Sequence, residues 1–394
     1  MIAFTFPGQG SQRPGMGAAW AEHPSWELVA EASEVAKRDL AHLLLEADAD
    51  TLVSTQNAQL STFLTSLIVL DAVERTGVEP AHVAGHSLGE YTALVAAGAL
   101  SFEDGVRLVQ ERGEAMLTAA QEQPGTMAVV LGLDDDKVEI ACARVDGDVW
   151  VANFNSPGQV VIAGSPEALV DAGVAAKELG AKRIMDIPVG GAFHTPFMAS
   201  AQERLRAALH TVEWRDPQVP VHANVDAMAH PNGLDWSGLL SAQLTSPVRW
   251  RQTLHGLDQA GVTTFVELGP GTVLTGMVKR TVKSARSLSV MVPSDIDALL
   301  ESLAQSPETG RADIGQRDGE HLFATERMVV SPAAGVFTPV TEIGPGSVIA
   351  AGDQLGNVGE HEVRSAFSGS IMGWLAVEGE RVTTSQPIAW LRTV

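Results

Sequence analysis

The run Gly85-His86-Ser87-Leu88-Gly89 sits where a short apolar, strand-like segment (82–85) gives way to a helix-like one (91–97). A serine with glycine two residues to either side, at a strand-to-helix junction, is the pattern of a nucleophile elbow. A turn tight enough to present Oγ crowds its neighbours, so positions 85 and 89 must be nearly free of side chain. The serine also stands at a helix N-terminus, whose unpaired N–H groups, that of Leu88 included, can face a developing oxyanion. The pattern points to an α/β scaffold that does covalent acyl chemistry at Ser87.

With 394 residues the chain is long enough for two or three domains and a sizeable core. Its N-terminus enters a strand-like run at once, without a basic segment ahead of a long apolar stretch, so no signal peptide is expected. No stretch approaches the length of a membrane span. Cys142 is the only cysteine, which excludes an internal disulfide and a cysteine metal cluster, and no metal site is expected. These features together predict a cytoplasmic protein. A formal charge of −22 argues against nucleic acid as a partner, because phosphate binding needs concentrated Lys and Arg.

Up to about residue 303 short β-branched runs alternate with longer helical patterns, the signature of an α/β domain. Strand-like runs cover 2–6, 83–85 and 263–268, and helical patterns cover 103–120, 196–209 and 249–260. Between about 125 and 190 the order becomes strand 127–131, helix 134–145, strands 149–154 and 159–163, helix 166–179 and strand 182–187. That βαββαβ order predicts a ferredoxin-like subdomain inserted into the larger body, with a ligand crevice between them.

Serine nucleophiles need a base within hydrogen-bond reach, and eleven histidines compete for the role. His194 lies in Gly190-Gly191-Ala192-Phe193-His194-Thr195-Pro196, a loop leaving the insert, which places it at the rim of the expected crevice. His86 abuts the nucleophile, but adjacent elbow residues point apart, which suits a secondary role. Lys279, Arg280, Lys283 and Arg286 recur at helical spacing and form the best candidate patch for an acidic ligand.

Six segments in order carry a family resemblance. They are Phe6-Pro7-Gly8-Gln9-Gly10-Ser11-Gln12, Gly85-His86-Ser87-Leu88-Gly89-Glu90-Tyr91, Val106-Arg107-Leu108-Val109 with Arg112-Gly113, Asn153-Phe154-Asn155-Ser156-Pro157-Gly158-Gln159, Gly191-Ala192-Phe193-His194, and Val266-Glu267-Leu268-Gly269-Pro270-Gly271. Through them residues 1 to about 303 resemble the malonyl-CoA:acyl carrier protein transacylase family, with an α/β-hydrolase-like parallel-sheet domain. The resemblance implies that Ser87 is acylated and that His194 is the general base, oriented by a backbone carbonyl and not by an aspartate. It implies oxyanion donors at Gln9 and Leu88, and a place for Gln243 and His86 near the substrate. It makes Arg112 the residue that holds the free malonyl carboxylate with its planar fork. Phe193 is similar to malonyl-selective relatives, since a smaller residue there would leave room for a branched acyl group. Malonyl-CoA and acyl carrier protein are the implied partners, both polyanionic, with Lys279, Arg280, Lys283 and Arg286 as part of the docking surface.

Residues 302–327 lose hydrophobic periodicity, and 304–327 read as a linker. The remainder, 328–394, repeats itself at an offset of 33 to 34 residues: Val330-Ser331 with Gly335 matches Arg364-Ser365 with Gly369, and Gly346-Ser347-Val348 matches Glu380-Arg381-Val382. It resembles the biotinyl and lipoyl carrier domains, small all-β barrel-sandwich hybrids with a hairpin at the repeat junction. Their modified lysine is missing, because the junction reads Val358-Gly359-Glu360-His361-Glu362-Val363 and no lysine follows Lys283. No biotin or lipoate attachment is expected, and a docking role toward a protein partner remains. Three other functions stay open: a trans-acting polyketide acyltransferase, an acyl-thioester hydrolase, and a non-catalytic scaffold.

Overall fold

The structure, a computed structural model, describes residues 1–304, 326–341, 343–365, 367–383 and 386–392. The expected linker 304–327 lies almost entirely outside the described residues. The chain divides into two compact units, Met1–Gly310 and Arg311–Val394.

Among the described residues, the first unit has ten strands: β1 (Ile2–Phe6), β2 (His82–Gly85), β3 (Thr126–Leu131), β4 (Val149–Ser156), β5 (Gln159–Gly164), β6 (Arg183–Ile187), β7 (Val221–His222), β8 (Ala229–His230), β9 (Thr264–Leu268) and β10 (Arg286–Val290). Six form a sheet in the order β10-β9-β1-β2-β7-β8, parallel except for the last pair. β1, β2 and β9 are almost continuously apolar and buried, as strands covered on both faces must be. The helix Thr55–Glu74 runs through the core with all but a few residues buried, so its polar Gln59, Thr62, Thr65 and Ser66 are interior too. The helix Phe102–Glu122 begins at Ser101, whose Oγ accepts the Asp104 N–H at 3.1 Å, and it buries one face that includes Arg112.

The other four strands make an antiparallel sheet in the order β4-β5-β3-β6, with the helices Asp135–Ala143 and Pro166–Glu178 supplying the βαββαβ connectivity. Val130, Val138, Val160, Ile162 and Ala172 form its separate core. The insert is stitched to the body where Phe154 N–H donates to Val248 O and Val248 N–H to Ala152 O, both at 2.9 Å. The mixed α/β architecture with an added antiparallel sheet agrees with the alternation seen in the sequence.

The second unit contributes β11 (Glu326–Val330), β12 (Gly335–Pro339), β13 (Val348–Ile349), β14 (Gln354–Val358), β15 (His361–Arg364), β16 (Gly369–Trp374), β17 (Arg381–Val382) and β18 (Pro387–Arg392). They form two four-stranded sheets, β11-β18-β16-β13 and β15-β14-β12-β17, so each sheet takes two strands from each half of the repeat. Phe337, Leu355, Val358, Ile371, Ile388 and Leu391 close the core between them. The repeat extends to single atoms: Ser331 Oγ donates to Ala333 O and Ser365 Oγ to Phe367 O, each at 2.6 Å. β14 and β15 are joined by the two-residue turn Gly359-Glu360, with Gly359 at φ 60°.

One expectation fails. Lys279, Arg280, Lys283 and Arg286 do not share a helix, because the helix Val273–Thr281 ends before Lys283 and Arg286 opens β10. The β-branched pair Thr281-Val282 ends the helical run where the chain turns into the parallel sheet.

Candidate active site

Ser87 sits in the turn between β2, which ends at Gly85, and the helix Gly89–Ala96. Its φ of 53° is left-handed, a conformation a side-chain-bearing residue holds only when its surroundings enforce it. The enforcement is packing. A Cβ on Gly85 would lie 1.8 Å from the Gly89 carbonyl, and one on Gly89 would lie 2.1 Å from Phe6 O. Strand β1, strand β2 and the helix start thus meet backbone to backbone under the nucleophile.

Ser87 Oγ lies 2.8 Å from His194 Nε2. On the other side of the ring, His194 Nδ1 lies 2.8 Å from Gln243 O. A carbonyl oxygen can only accept, so Nδ1 carries the proton and Nε2 presents its lone pair to the serine hydroxyl. His194 is also left-handed, at φ 62°, and buried. Burial, with the charge of Arg112 next in weight, holds its imidazole down to about 3, so the ring is neutral at physiological pH, with its Nε2 lone pair free to face the serine.

Arg112 is 1% exposed, and its Nη2 donates to Ser87 Oγ at 3.1 Å. The same Nη2 donates to Gln243 Oε1 at 2.9 Å, while Nη1 donates to Gln59 Oε1 at 2.7 Å. All of these acceptors are neutral. Nε, equally buried, has no acceptor among the described residues, and the guanidinium lies over the Tyr91 ring at 5.5 Å.

The elbow is buttressed from below by residues with no assigned role in the sequence. Asn224 Oδ1 accepts the Ser87 N–H at 2.7 Å, and Asn224 Nδ2 donates to Gly85 O at 2.7 Å. Glu90 Oε1 accepts the Asn224 N–H at 2.8 Å, and Glu90 Oε2 accepts from Gln243 Nε2, which also donates to Ser87 O at 2.9 Å. Burial pushes the Glu90 carboxyl up to about 8, against the lowering by these donors and by Arg112. Gln59 and Asn224 were missed because neither lies in a pattern that names a chemistry, and Glu90 lies in the elbow motif but nothing there gives it a role. The only signal is a polar residue inside an otherwise apolar stretch, as Gln59 is.

Gln9, His86, Phe193 and His194 line, with Ser87 and Arg112, a cavity of about 260 Å³ between the parallel-sheet body and the insert. Leu88 N–H and Gln9 N–H have no backbone acceptor among the described residues. His86 Nε2 lies 2.9 Å from Asn155 Oδ1 and its ring meets Trp250 edge-on, so it fastens the elbow to the insert. Met116, Met127, Val161 and Met277 give the cavity an apolar wall. Of the four basic residues, Arg280 bonds a residue of the cavity lining, donating to Gln159 Oε1 at 2.9 Å and also to Ser156 Oγ at 3.1 Å. Lys279 and Lys283 are exposed, and Arg286 donates to Ser302 O. Among the described residues no three His, Cys, Asp or Glu side chains are grouped as a metal site would require, and no helix is long and apolar enough to cross a membrane.

Residues 3–303 match the family described as acyl transferase domain. The chain belongs to that acyl transferase family. Among its relatives is the malonyl CoA-acyl carrier protein transacylase of Bacillus subtilis (strain 168), 41% identical over 309 residues that cover 77% of this chain and 98% of the relative. An acyl carrier protein S-malonyltransferase from Vibrio cholerae has a solved structure that superposes with a TM-score of 0.73 at 40% identity, covering 76% of this chain and 99% of that one. A malonyl-transacylase solved in complex with its type II PKS acyl-carrier protein superposes with a TM-score of 0.74 at 38% identity, with coverages of 76% and 99%. In this acyl transferase the family match stops at residue 303, so the second unit lies outside it.

Proposed function

We propose that this protein transfers the malonyl group from malonyl-CoA to the phosphopantetheine thiol of acyl carrier protein, through a malonyl ester of Ser87, and so supplies fatty acid synthesis. The observation that carries the reading is Arg112: a buried guanidinium whose hydrogen bonds all end on neutral groups, aimed at the nucleophile. A buried cation without a counter-charge is costly, and a substrate carboxylate bound beside Ser87 would supply that charge. Arg112 would then select malonyl over acetyl by a paired carboxylate, with Phe193 limiting the room beside it.

In the first half-reaction Ser87 Oγ attacks the thioester carbonyl as its proton passes to His194 Nε2. The imidazolium is steadied by the Gln243 carbonyl at Nδ1. The oxyanion would be received by the N–H groups of Leu88 and Gln9. The C–S bond breaks, the coenzyme A sulfur takes the proton from His194, and the acyl group stays on Ser87. The carrier thiol then gives its proton to His194, attacks the ester, and Ser87 recovers its own. No metal or redox cofactor has a part in these steps. Two of the relatives support these partners, one a malonyl CoA-acyl carrier protein transacylase and one solved with its acyl-carrier protein. The second of these favours one further reading, a carrier of the polyketide type.

In finer terms the parallel-sheet body reads as α/β-hydrolase-like and the insert as ferredoxin-like, and both meet at the cavity. The second unit reads as a barrel-sandwich hybrid of the biotinyl and lipoyl type, supported by its exchanged strands and its junction hairpin. Without a lysine at Gly359-Glu360 it would carry no biotin or lipoate, and it suits binding of a protein partner. The test is intact-protein mass spectrometry after brief mixing with malonyl-CoA, acetyl-CoA or methylmalonyl-CoA. A malonyl adduct absent from Ser87→Ala and discharged onto added carrier protein is the expected result. A folded protein that forms no adduct with any of the three refutes the transferase reading.

A further inference from the structure

Gln243 contributes four bonds to the site. Its backbone carbonyl orients His194, its Oε1 accepts from Arg112, and its Nε2 donates to Ser87 O and to Glu90. An amide side chain is nearly symmetric in shape but not in polarity, so something must decide which end faces which neighbour. Arg112 can only donate, and Ser87 O can only accept. Glu90 supplies the remaining constraint. Its Oε1 is committed to the Asn224 backbone N–H, which cannot turn round, and its Oε2 faces Gln243 Nε2. In either protonation state each carboxyl oxygen keeps a lone pair for its donor, whereas an amide nitrogen does not. Glu90 is 1% exposed, so water cannot stand in for a lost bond.

We infer that Glu90 is a positioning residue for acyl-group selection: by accepting from Gln243 Nε2 it keeps Gln243 Oε1 on Arg112, and so holds the guanidinium at Ser87. A glutamine at 90 would keep its oxygen on the Asn224 N–H and turn its NH₂ toward Gln243 Nε2. Two donors would then face each other. Turning the Gln243 amide relieves that clash but sets an NH₂ against Arg112 and an oxygen against Ser87 O. Either outcome loosens the guanidinium, whereas the Ser87–His194 bond and the Gln243 backbone carbonyl that orients the base are not made by the amide, so a fall in the malonyl-to-acetyl ratio separates this role from general support of the fold.

The inference rests on Arg112 as the carboxylate-binding residue, so the experiment measures kcat/KM for malonyl-CoA and for acetyl-CoA on the full chain in wild type, Glu90→Gln and Arg112→Ala. Both variants are expected to lower the malonyl-to-acetyl ratio by about tenfold or more, and in Glu90→Gln the loss should fall mainly on KM for malonyl-CoA. An unchanged ratio in Arg112→Ala removes the underlying reading. A lowered ratio in Arg112→Ala with an unchanged ratio in Glu90→Gln, including equal losses on both thioesters, overturns the role of Glu90 alone. If Glu90→Gln does not fold, Gln243→Met removes the amide whose polarity is at stake. Gln243→Met alone is then expected to lower the malonyl-to-acetyl ratio as well, and an unchanged ratio in it overturns the proposal.

Discussion

A catalytic histidine is useful only in one protonation state, and here its surroundings choose that state. Burial and the Arg112 charge hold His194 at about 3, far below the ordinary 6.5. Since kcat/KM reports the free enzyme, acylation by malonyl-CoA should stay flat from about pH 7 down to about pH 5. Stopped-flow acylation across that range checks it, and an inflection near the ordinary histidine value would mean that the resting ring is solvated. The depressed value also carries a stability cost in acid. Native His194 resists a proton that the unfolded chain accepts below 6.5, so its contribution is complete above that value and is lost as the pH falls toward 3. Ser87 stood out in a local motif and His194 in a loop at the rim of the expected crevice, while Arg112 was singled out only through the family resemblance. Asn224 and Glu90 were not, because their role is a hydrogen-bond polarity set by contacts such as Ser87 N–H to Asn224, 137 positions apart.

Elements meet at the elbow with no space for a methyl group, and that closeness is what turns a strand, a turn and a helix into a site. Gly85→Ala would put a Cβ 1.8 Å from the Gly89 carbonyl, where no flexible side chain can give way. We expect a loss of about 3 kcal/mol or more in denaturant unfolding, together with loss of acylation, because the strand must move and take Ser87 with it. Gly238→Ala is the contrast. Gly238 lies within the helix Trp236–Gln243 with open space around its would-be Cβ, and alanine there should stabilise by about 0.5–1 kcal/mol. A neutral Gly85→Ala would mean that the elbow tolerates a wider turn than this packing allows. The two glycines also mark what sequence can tell about elements. Gly85 and Gly89 announced a backbone crossing because a flanked serine has few other uses. The spacing of Lys279, Arg280, Lys283 and Arg286 fitted a helix equally well, but spacing says nothing about where a helix stops, and the sheet claims Arg286.

At the scale of the whole chain, the chemistry and the repeat are separable. Ser87, His194, Arg112 and the groups that hold them, from Gln59 to Gln243, all lie within Met1–Gly310. The second unit has its own core around Phe337, Leu355 and Ile388, closed by strands exchanged between its two halves, so neither half could bury its apolar face alone. The two-fold repeat was legible because the same residues recur at a fixed offset, whereas the exchange of strands between its halves was not, since a repeat does not say which half a strand's partner comes from. A chain ending at Gly310 is therefore expected to fold and to retain malonyl transfer within about threefold in kcat/KM. The two half-reactions should be measured apart, as malonyl adduct formation from malonyl-CoA and as its discharge onto carrier protein. Loss of adduct formation in a folded, shortened chain would give the second unit a part at the nucleophile. Loss of discharge alone would make it a device for receiving the carrier, a role that needs no attachment lysine.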